Sequence, residues 1–83
     1  MNIDNLVTMA NQIGSFYETM PDRPKALLDI TDHIVKFWEP RMRRALLTYI
    51  DADEDIELTP IVLESLQANR ALLGGHVFVP AGI

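Results

Sequence analysis

The sequence predicts an all-α fold, a small bundle of three to four helices with an extended C-terminal tail. Apolar residues recur at steps of three and four, as on one side of a helix, and prolines stand where helices begin or break. The 83 residues allow one domain, 1–83. A chain this small buries only about 60–65% of the surface that its unfolded form exposes. We therefore expect a thin core that a binding partner would help to stabilise.

The first helix is predicted over residues 3–19, and Asn2 or Asp4 can cap its start. Its apolar stripe consists of Leu6, Met9, Ala10, Ile13, Phe16, Tyr17 and Met20. Core packing is the preferred interpretation of this stripe, and a groove for a partner is the alternative. Asn11 falls on the opposite side and is expected to face water. Gly14 costs about 1 kcal/mol of helix propensity relative to alanine, so we expect another backbone to pass close to it.

The next two helices are predicted over residues 24–38 and 40–50, and they meet at a proline. Pro40 disfavours the α conformation in the residue before it but is tolerated in the first turn of a helix. Trp38, the only tryptophan, therefore stands at the corner, where we expect its ring to be buried. Phe37, Trp38 and Met42 are predicted to lock the second helix against the third.

The fourth helix is predicted over residues 60–73, capped by Thr59-Pro60 and ended by Gly74-Gly75. Residues 51–57 carry five acids and are predicted to form a solvated loop, and residues 76–83 form the extended apolar tail. Both the third and fourth helices carry apolar residues on two faces, more than one small core is expected to cover. The predicted partner contacts on these faces and on the tail are Arg41, Arg43, Leu47, Ile50, Ile61 and Phe78.

The residues give little support for catalysis or for a bound cofactor. The absence of cysteine excludes a thiol nucleophile, a disulfide and a thiolate metal site. Asp29 and His33 lie four residues apart, but without a third ligand the preferred interpretation is a boundary histidine paired with an acid. No phosphate-binding glycine loop and no nucleophile motif is present. We therefore predict no catalytic, cofactor-binding or metal-binding residue.

The net charge of −5 argues against general nucleic-acid binding. The basic residues around Trp38 could contact nucleic acid, although they point in several directions, and arginine beside aromatic residues is also typical of protein interfaces. These basic residues are Lys36, Arg41, Arg43 and Arg44. The sequence contains neither a signal-peptide pattern at its N-terminus nor an apolar run of 18 residues. A cytoplasmic protein without membrane contact is expected.

Two sequence blocks resemble the delta subunit of the NAD-dependent, molybdenum-containing formate dehydrogenase. The first contains Met-Ala-Asn-Gln-Ile from Met9, and the second contains Asp-His-Ile-Val-Lys-Phe-Trp-Glu-Pro-Arg-Met from Asp32, in the same order and at similar spacing as in that family. The resemblance covers residues 5–50 well and the Thr59-Pro60 helix more loosely. The matched residues, taken as family signature, are Met9, Ala10, Asn11, Gln12, His33, Phe37, Trp38, Pro40, Arg41 and Met42, and all of them except Ala10 and Arg41 are also taken as core anchors.

The resemblance implies a small, non-catalytic accessory subunit of a cytoplasmic multi-subunit enzyme. Its larger chains would carry the molybdopterin, the iron–sulfur clusters and the flavin, and would reduce NAD with formate. This chain would bind none of these cofactors. It would instead bind and stabilise the catalytic subunit and could aid cofactor insertion. The residues leave two alternatives open, a free-standing homodimeric helical module and a small nucleic-acid-binding regulator.

Overall fold

The computed structural model describes residues 2–74, which form four α-helices and a short 3₁₀ helix. The α-helices are α1 (Ile3–Tyr17), α2 (Arg23–Phe37), α3 (Pro40–Ala52) and α4 (Pro60–Ala68), and the 3₁₀ helix is Arg70–Leu73. No strand occurs in this part of the chain, so the all-α prediction is confirmed. The predicted tail, including Phe78, lies outside the described residues.

Short polar side chains and prolines set the helix starts. The side chain of Asn2 accepts a hydrogen bond from the amide of Asp4 at 2.8 Å, and that of Asp22 accepts one from the amide of Lys25 at 3.2 Å. Both bonds satisfy backbone donors that a first helical turn leaves without a partner. Helices α3 and α4 begin instead at a proline, which lacks the N–H that would need such a partner.

The predicted helix over 60–73 is wrong in its last turn. Helix α4 ends at Ala68, and Asn69 leaves the helical conformation with φ −118° and ψ 31°. The Asn69 side chain donates to the carbonyl of Ser65 at 3.0 Å. Asparagine side chains compete in this way with the backbone for helical hydrogen bonds. The chain then continues as the 3₁₀ helix, which buries Leu73 in the core.

The core draws apolar side chains from all four α-helices and from the segments around α4. Its members are Leu6, Val7, Ala10, Ile30, Ile34, Trp38, Leu46, Leu47, Ile50, Leu58, Ile61, Val62, Leu66 and Leu73. The prediction that Leu47, Ile50 and Ile61 form an exposed docking surface is therefore wrong. The second faces of α3 and α4 are part of the same core, to which the loop before α4 adds Leu58 and the 3₁₀ helix adds Leu73.

Two polar contacts tie these covering segments to the end of α3. The Tyr49 hydroxyl accepts from the amide of Glu57 at 2.7 Å and donates to the carbonyl of Asp55 at 3.1 Å. The Arg70 guanidinium donates to both oxygens of Asp51, at 2.9 and 2.6 Å. This hydrogen bonding lowers the pKa of the Asp51 carboxyl. The contact between Arg70 and Asp51 stabilises the folded chain at pH values above the ordinary carboxyl pKa. This stabilisation is lost as the pH falls through the lowered pKa of Asp51.

Helix α4 packs closely against both α1 and α2. A β-carbon added to Gly14 of α1 would overlap the Cγ2 atom of Val62 and would lie 3.4 Å from that of Ile61. The close approach expected at Gly14 is present, but side chains of α4 rather than a backbone make it. Thr31 of α2 and Ser65 of α4 form a buried polar pair with 2.8 Å between their hydroxyl oxygens. The Ser65 hydroxyl donates to the carbonyl of Leu27, which fixes α4 against α2.

Candidate partner-binding groove

The corner between α2 and α3 is a two-residue extended link. Trp38 (φ −96°, ψ 142°) and Glu39 (φ −67°, ψ 152°) both leave the helical conformation. Pro40 disfavours an α conformation at Glu39, so the link follows directly from the sequence. Trp38 is only 5% exposed and belongs to the core, as the interpretation of the corner required.

Arg43 braces this corner from inside. Its Nη1 atom donates to the carbonyl of Val35 at 2.8 Å and lies 3.3 Å from the carbonyl of Trp38, to which it also donates. These carbonyls need partners because α2 ends beside them and no longer supplies backbone donors. Arg43 is half-buried and is held within the chain, and its predicted role as a partner contact stays a prediction. A helical wheel gives the direction in which the Arg43 side chain leaves α3. It does not show that the end of α2 lies in that direction.

We expect Arg43→Met to lower the free energy of unfolding by about 1–3 kcal/mol, because methionine keeps much of the apolar stem but leaves the carbonyls without their charged donor. Urea unfolding followed by far-ultraviolet circular dichroism measures this loss. Arg44→Met is the matched control, since Arg44 is the exposed next residue on the same helix. Equal unfolding midpoints for the two variants would show that Arg43 does not brace the corner.

An apolar groove of about 500 Å³ opens beside the corner, between α1, the end of α2 and the start of α3. Its lining residues are Met9, Gln12, Ile13, His33, Phe37, Trp38 and Met42. The His33 ring lies against that of Phe37, with 4.7 Å between the ring centroids and 43° between the planes. Phe37 is 71% exposed and Met9 is 40% exposed. The walls of the groove are therefore made largely of apolar side chains that water still reaches.

This groove corrects the prediction that Met9 and Phe37 are core anchors. Phe37 is the last residue of α2, whereas Trp38 lies in the extended link, and only Trp38 is buried in the core. Trp38 takes the inner position. On α1 the apolar stripe divides in the same way, since Leu6 and Ala10 are buried while Met9 and Phe16 are exposed. The sequence had left open whether this stripe formed core or groove, and it contributes to both.

Smaller hollows extend the groove at both ends. Beyond Met42 lies a hollow of about 280 Å³ that Leu6, Glu39 and Arg41 also line. At the other end, His33 and Phe37 border a hollow of about 220 Å³. Its further lining residues are Tyr17, Asp29, Asp32 and Lys36. The three hollows share residues, so they form one continuous surface across α1, α2 and α3.

The charged residues around this surface form local pairs. Asp29 lies 3.3 Å from Lys25 and Asp32 lies 3.0 Å from Lys36. The predicted pairing of His33 with Asp29 is therefore wrong, because Lys25 takes the acid and His33 packs on Phe37. Within residues 2–74, no three histidine, aspartate or glutamate side chains come close enough to hold a metal ion.

Asn11 has a structural role that the sequence analysis missed. Its side-chain amide donates to the carbonyl of Glu57 at 3.0 Å, and its oxygen accepts from the amide of Thr59 at 2.9 Å. These two bonds fasten the loop before α4 to α1, so the expectation that Asn11 faces water is wrong. A side-chain amide can both donate and accept, so asparagine suits this position. The role could not be predicted from local sequence, because both partners are more than 45 residues away.

We expect Asn11→Ala to lower the free energy of unfolding by about 1–3 kcal/mol, since the amide of Thr59 and the carbonyl of Glu57 both lose their partner. Thermal unfolding followed by circular dichroism measures the loss. Gln12→Ala is the control, because Gln12 is the exposed neighbour of Asn11 on the same helix. A melting temperature equal to that of the control would contradict this role.

The structure defines a class of protein, a small helical bundle with a closed core and an open apolar groove beside it. No helix within residues 2–74 is long and apolar enough to cross a membrane. The family described as the NADH-dependent formate dehydrogenase delta subunit, FdsD, matches residues 5–66. The chain belongs to this family, which confirms the resemblance seen in the sequence. All the residues that line the groove lie within the matched range. No curated protein and no solved structure shows a significant match.

Proposed function

We propose that this chain is a non-catalytic accessory subunit of a cytoplasmic NAD-dependent formate dehydrogenase, and that it binds and stabilises the subunit that carries the molybdenum cofactor. Family membership supports the link to the enzyme complex. The observation that carries the proposed docking role is the groove: six of its seven lining residues belong to the family signature, and of these six only Trp38 belongs to the buried core. Met9, Phe37 and Met42 give the groove an apolar surface suited to a partner, and Gln12 and His33 lie beside them.

The energetics of the groove favour a protein partner. Burying an exposed phenylalanine or methionine side chain contributes about 1.5–3 kcal/mol. Phe37 and Met9 are both available for such burial. Methionine adapts its shape to an irregular surface, and aromatic residues are enriched where interfaces bind most tightly. The groove therefore offers a compact apolar centre with charged residues at its ends.

The groove does not suit the cofactors of such an enzyme. Its polar lining side chains are Gln12 and His33, whereas a pterin or flavin phosphate needs several donors or cations. An iron–sulfur cluster is held by cysteine thiolates, and the sequence contains no cysteine. We assign the molybdopterin, the iron–sulfur clusters, the flavin and NAD to the partner subunits. In our proposal this chain acts on the catalytic subunit by holding its fold, and this could aid cofactor insertion.

Co-purification tests the proposal directly. A tagged copy isolated from its native cells should retain the molybdenum-containing subunit in a stoichiometric amount. Recovery of the chain without that subunit would overturn the proposal. Formate oxidation and molybdenum content, measured with and without the chain, then separate two roles. A stabilising role lowers the amount of catalytic subunit, whereas an insertion role lowers the molybdenum content of each catalytic subunit.

A homodimer is the second candidate, because a second copy could cover the same exposed apolar residues. Sedimentation of the isolated protein at high micromolar concentration decides this, and a strict monomer excludes it. The nucleic-acid regulator has less support. Arg43 points inward and Lys36 pairs with Asp32, so the four basic residues do not form one surface. A mobility-shift assay without salt-sensitive binding eliminates it.

A further inference from the structure

The start of α3, at one end of the groove, carries two exposed arginines, although the chain is acidic overall. The Arg41 side chain is 75% exposed, and its distance of 3.5 Å from Glu39 leaves it loosely paired. Arg44 is also exposed, and residues three apart share a helix side. Both arginines lie in the first turns of α3, where the helix dipole is positive, and Glu39 makes no side-chain cap. This end therefore favours an anionic group.

The end of the groove that contains Arg41 is continuous with the apolar centre. The hollow that contains Arg41 shares Met42 with the main groove. A ligand that lies along this surface would place apolar groups against Phe37, Met9 and Met42. The group of the ligand that follows these apolar groups would then lie beside Arg41. The surface thus combines an apolar centre with a cationic flank.

The form of the ligand follows from what the fold offers. Peptides that bind as an added strand need an exposed sheet edge, and residues 2–74 contain no strand. A groove between helices instead accepts the apolar face of an amphipathic helix, with anchors spaced three or four residues apart. The groove of about 500 Å³ is open rather than enclosed, as a surface that receives one face of a helix must be.

We propose that the groove binds an amphipathic helix of the larger enzyme subunit, with large apolar residues on one face and an aspartate or glutamate about one turn beyond them beside Arg41 and Arg44. This inference rests on the proposed function and adds the chemistry of the partner segment. Charge argues against two other occupants. Residues 75–83 contain no acidic side chain, and two copies of a chain with a net charge of −5 repel each other.

The first test reverses the charge at the end of the groove. We expect Arg41→Glu combined with Arg44→Glu to weaken binding of the purified larger subunit at least tenfold at low ionic strength and to flatten the salt dependence of binding. Arg23→Glu is the control, because Arg23 is an exposed arginine at the far end of α2, about 20 Å from Phe37 along the helix. Arg41→Gln with Arg44→Gln serves as a milder pair, and circular dichroism verifies the fold of each variant.

Unchanged affinity in both double variants overturns the inference, as does an equal loss in the control. These results leave the proposed function standing if the unmodified chain still binds the larger subunit. Failure of the unmodified chain to bind that subunit overturns the proposed function itself. The two failures are therefore distinguishable.

A second test identifies the occupant. A photoreactive benzoyl-phenylalanine in place of Phe37, irradiated in the assembled complex, should cross-link to a peptide of the larger subunit. Mass spectrometry should find in that peptide two apolar residues three or four apart and an acidic residue within the next turn. A cross-link to residues 75–83, to a second copy, or to a segment without an acidic residue overturns the inference.

Discussion

Replacing Trp38 by alanine is expected to lower the free energy of unfolding by about 3–5 kcal/mol, the usual cost of removing a large buried aromatic side chain. Trp38 is 5% exposed and belongs to the core at the α2–α3 corner. Small domains are stable by only about 5–15 kcal/mol in total, so the loss is a large part of what holds this one together. Urea unfolding followed by circular dichroism measures it without relying on tryptophan fluorescence.

Phe37→Ala is the control for this prediction. It removes an aromatic ring one position earlier, from a side chain that is 71% exposed, and we expect it to change the unfolding midpoint little. If both variants lose the same large amount of unfolding free energy, any substitution at the corner destabilises the fold. An unfolding curve of Trp38→Ala that overlies the unmodified one would contradict the burial of the indole ring.

The second large effect is on binding rather than on folding. We expect Phe37→Ala to weaken binding of the larger enzyme subunit at least tenfold, which is about 1.4 kcal/mol, because an aromatic anchor at the centre of the groove is lost. A titration with the purified larger subunit gives the dissociation constant. Circular dichroism of the variant should match that of the unmodified chain.

Phe16→Ala is the matched control for the binding experiment. Phe16 is the same residue type, is 75% exposed and is not among the groove residues. It lies on α1 against Tyr17, with the two rings edge to face and their centroids 5.0 Å apart. If the two variants lose affinity equally, exposed aromatic area rather than the groove determines binding. If neither loses affinity, the groove is not the docking site.

Local sequence signals predicted the helices well. Apolar spacing, the caps at Asn2 and Asp22, and the prolines at positions 40 and 60 all act within one or two helical turns. The predicted boundaries of α1 to α3 therefore fall within two residues of the observed ones. The largest boundary error came at Asn69, where a side chain competes with the backbone and ends the α-helix.

The burial of individual faces could not be predicted in the same way. A helical wheel gives the direction of Leu47, Ile50 or Ile61 but not which segment folds over it. For Phe37 and Trp38 both residues are aromatic, and only the geometry of the corner decides which one faces the core. Ser65 and Thr31 likewise lie 34 residues apart, so their buried pair depends on the packing of α4 against α2.

The place of Trp38 has a consequence for the lifetime of the chain in a cell. The same side chain closes the core and lines the groove, so a partner in the groove recognises only the folded form. At a partner concentration 100-fold above the dissociation constant, binding adds about 2.7 kcal/mol of stability. Copies without a partner would unfold more often and be degraded faster. Degradation of unbound copies would then match the amount of this chain to the amount of the larger subunit. A pulse-chase experiment should show a shorter half-life of this chain when the larger subunit is absent.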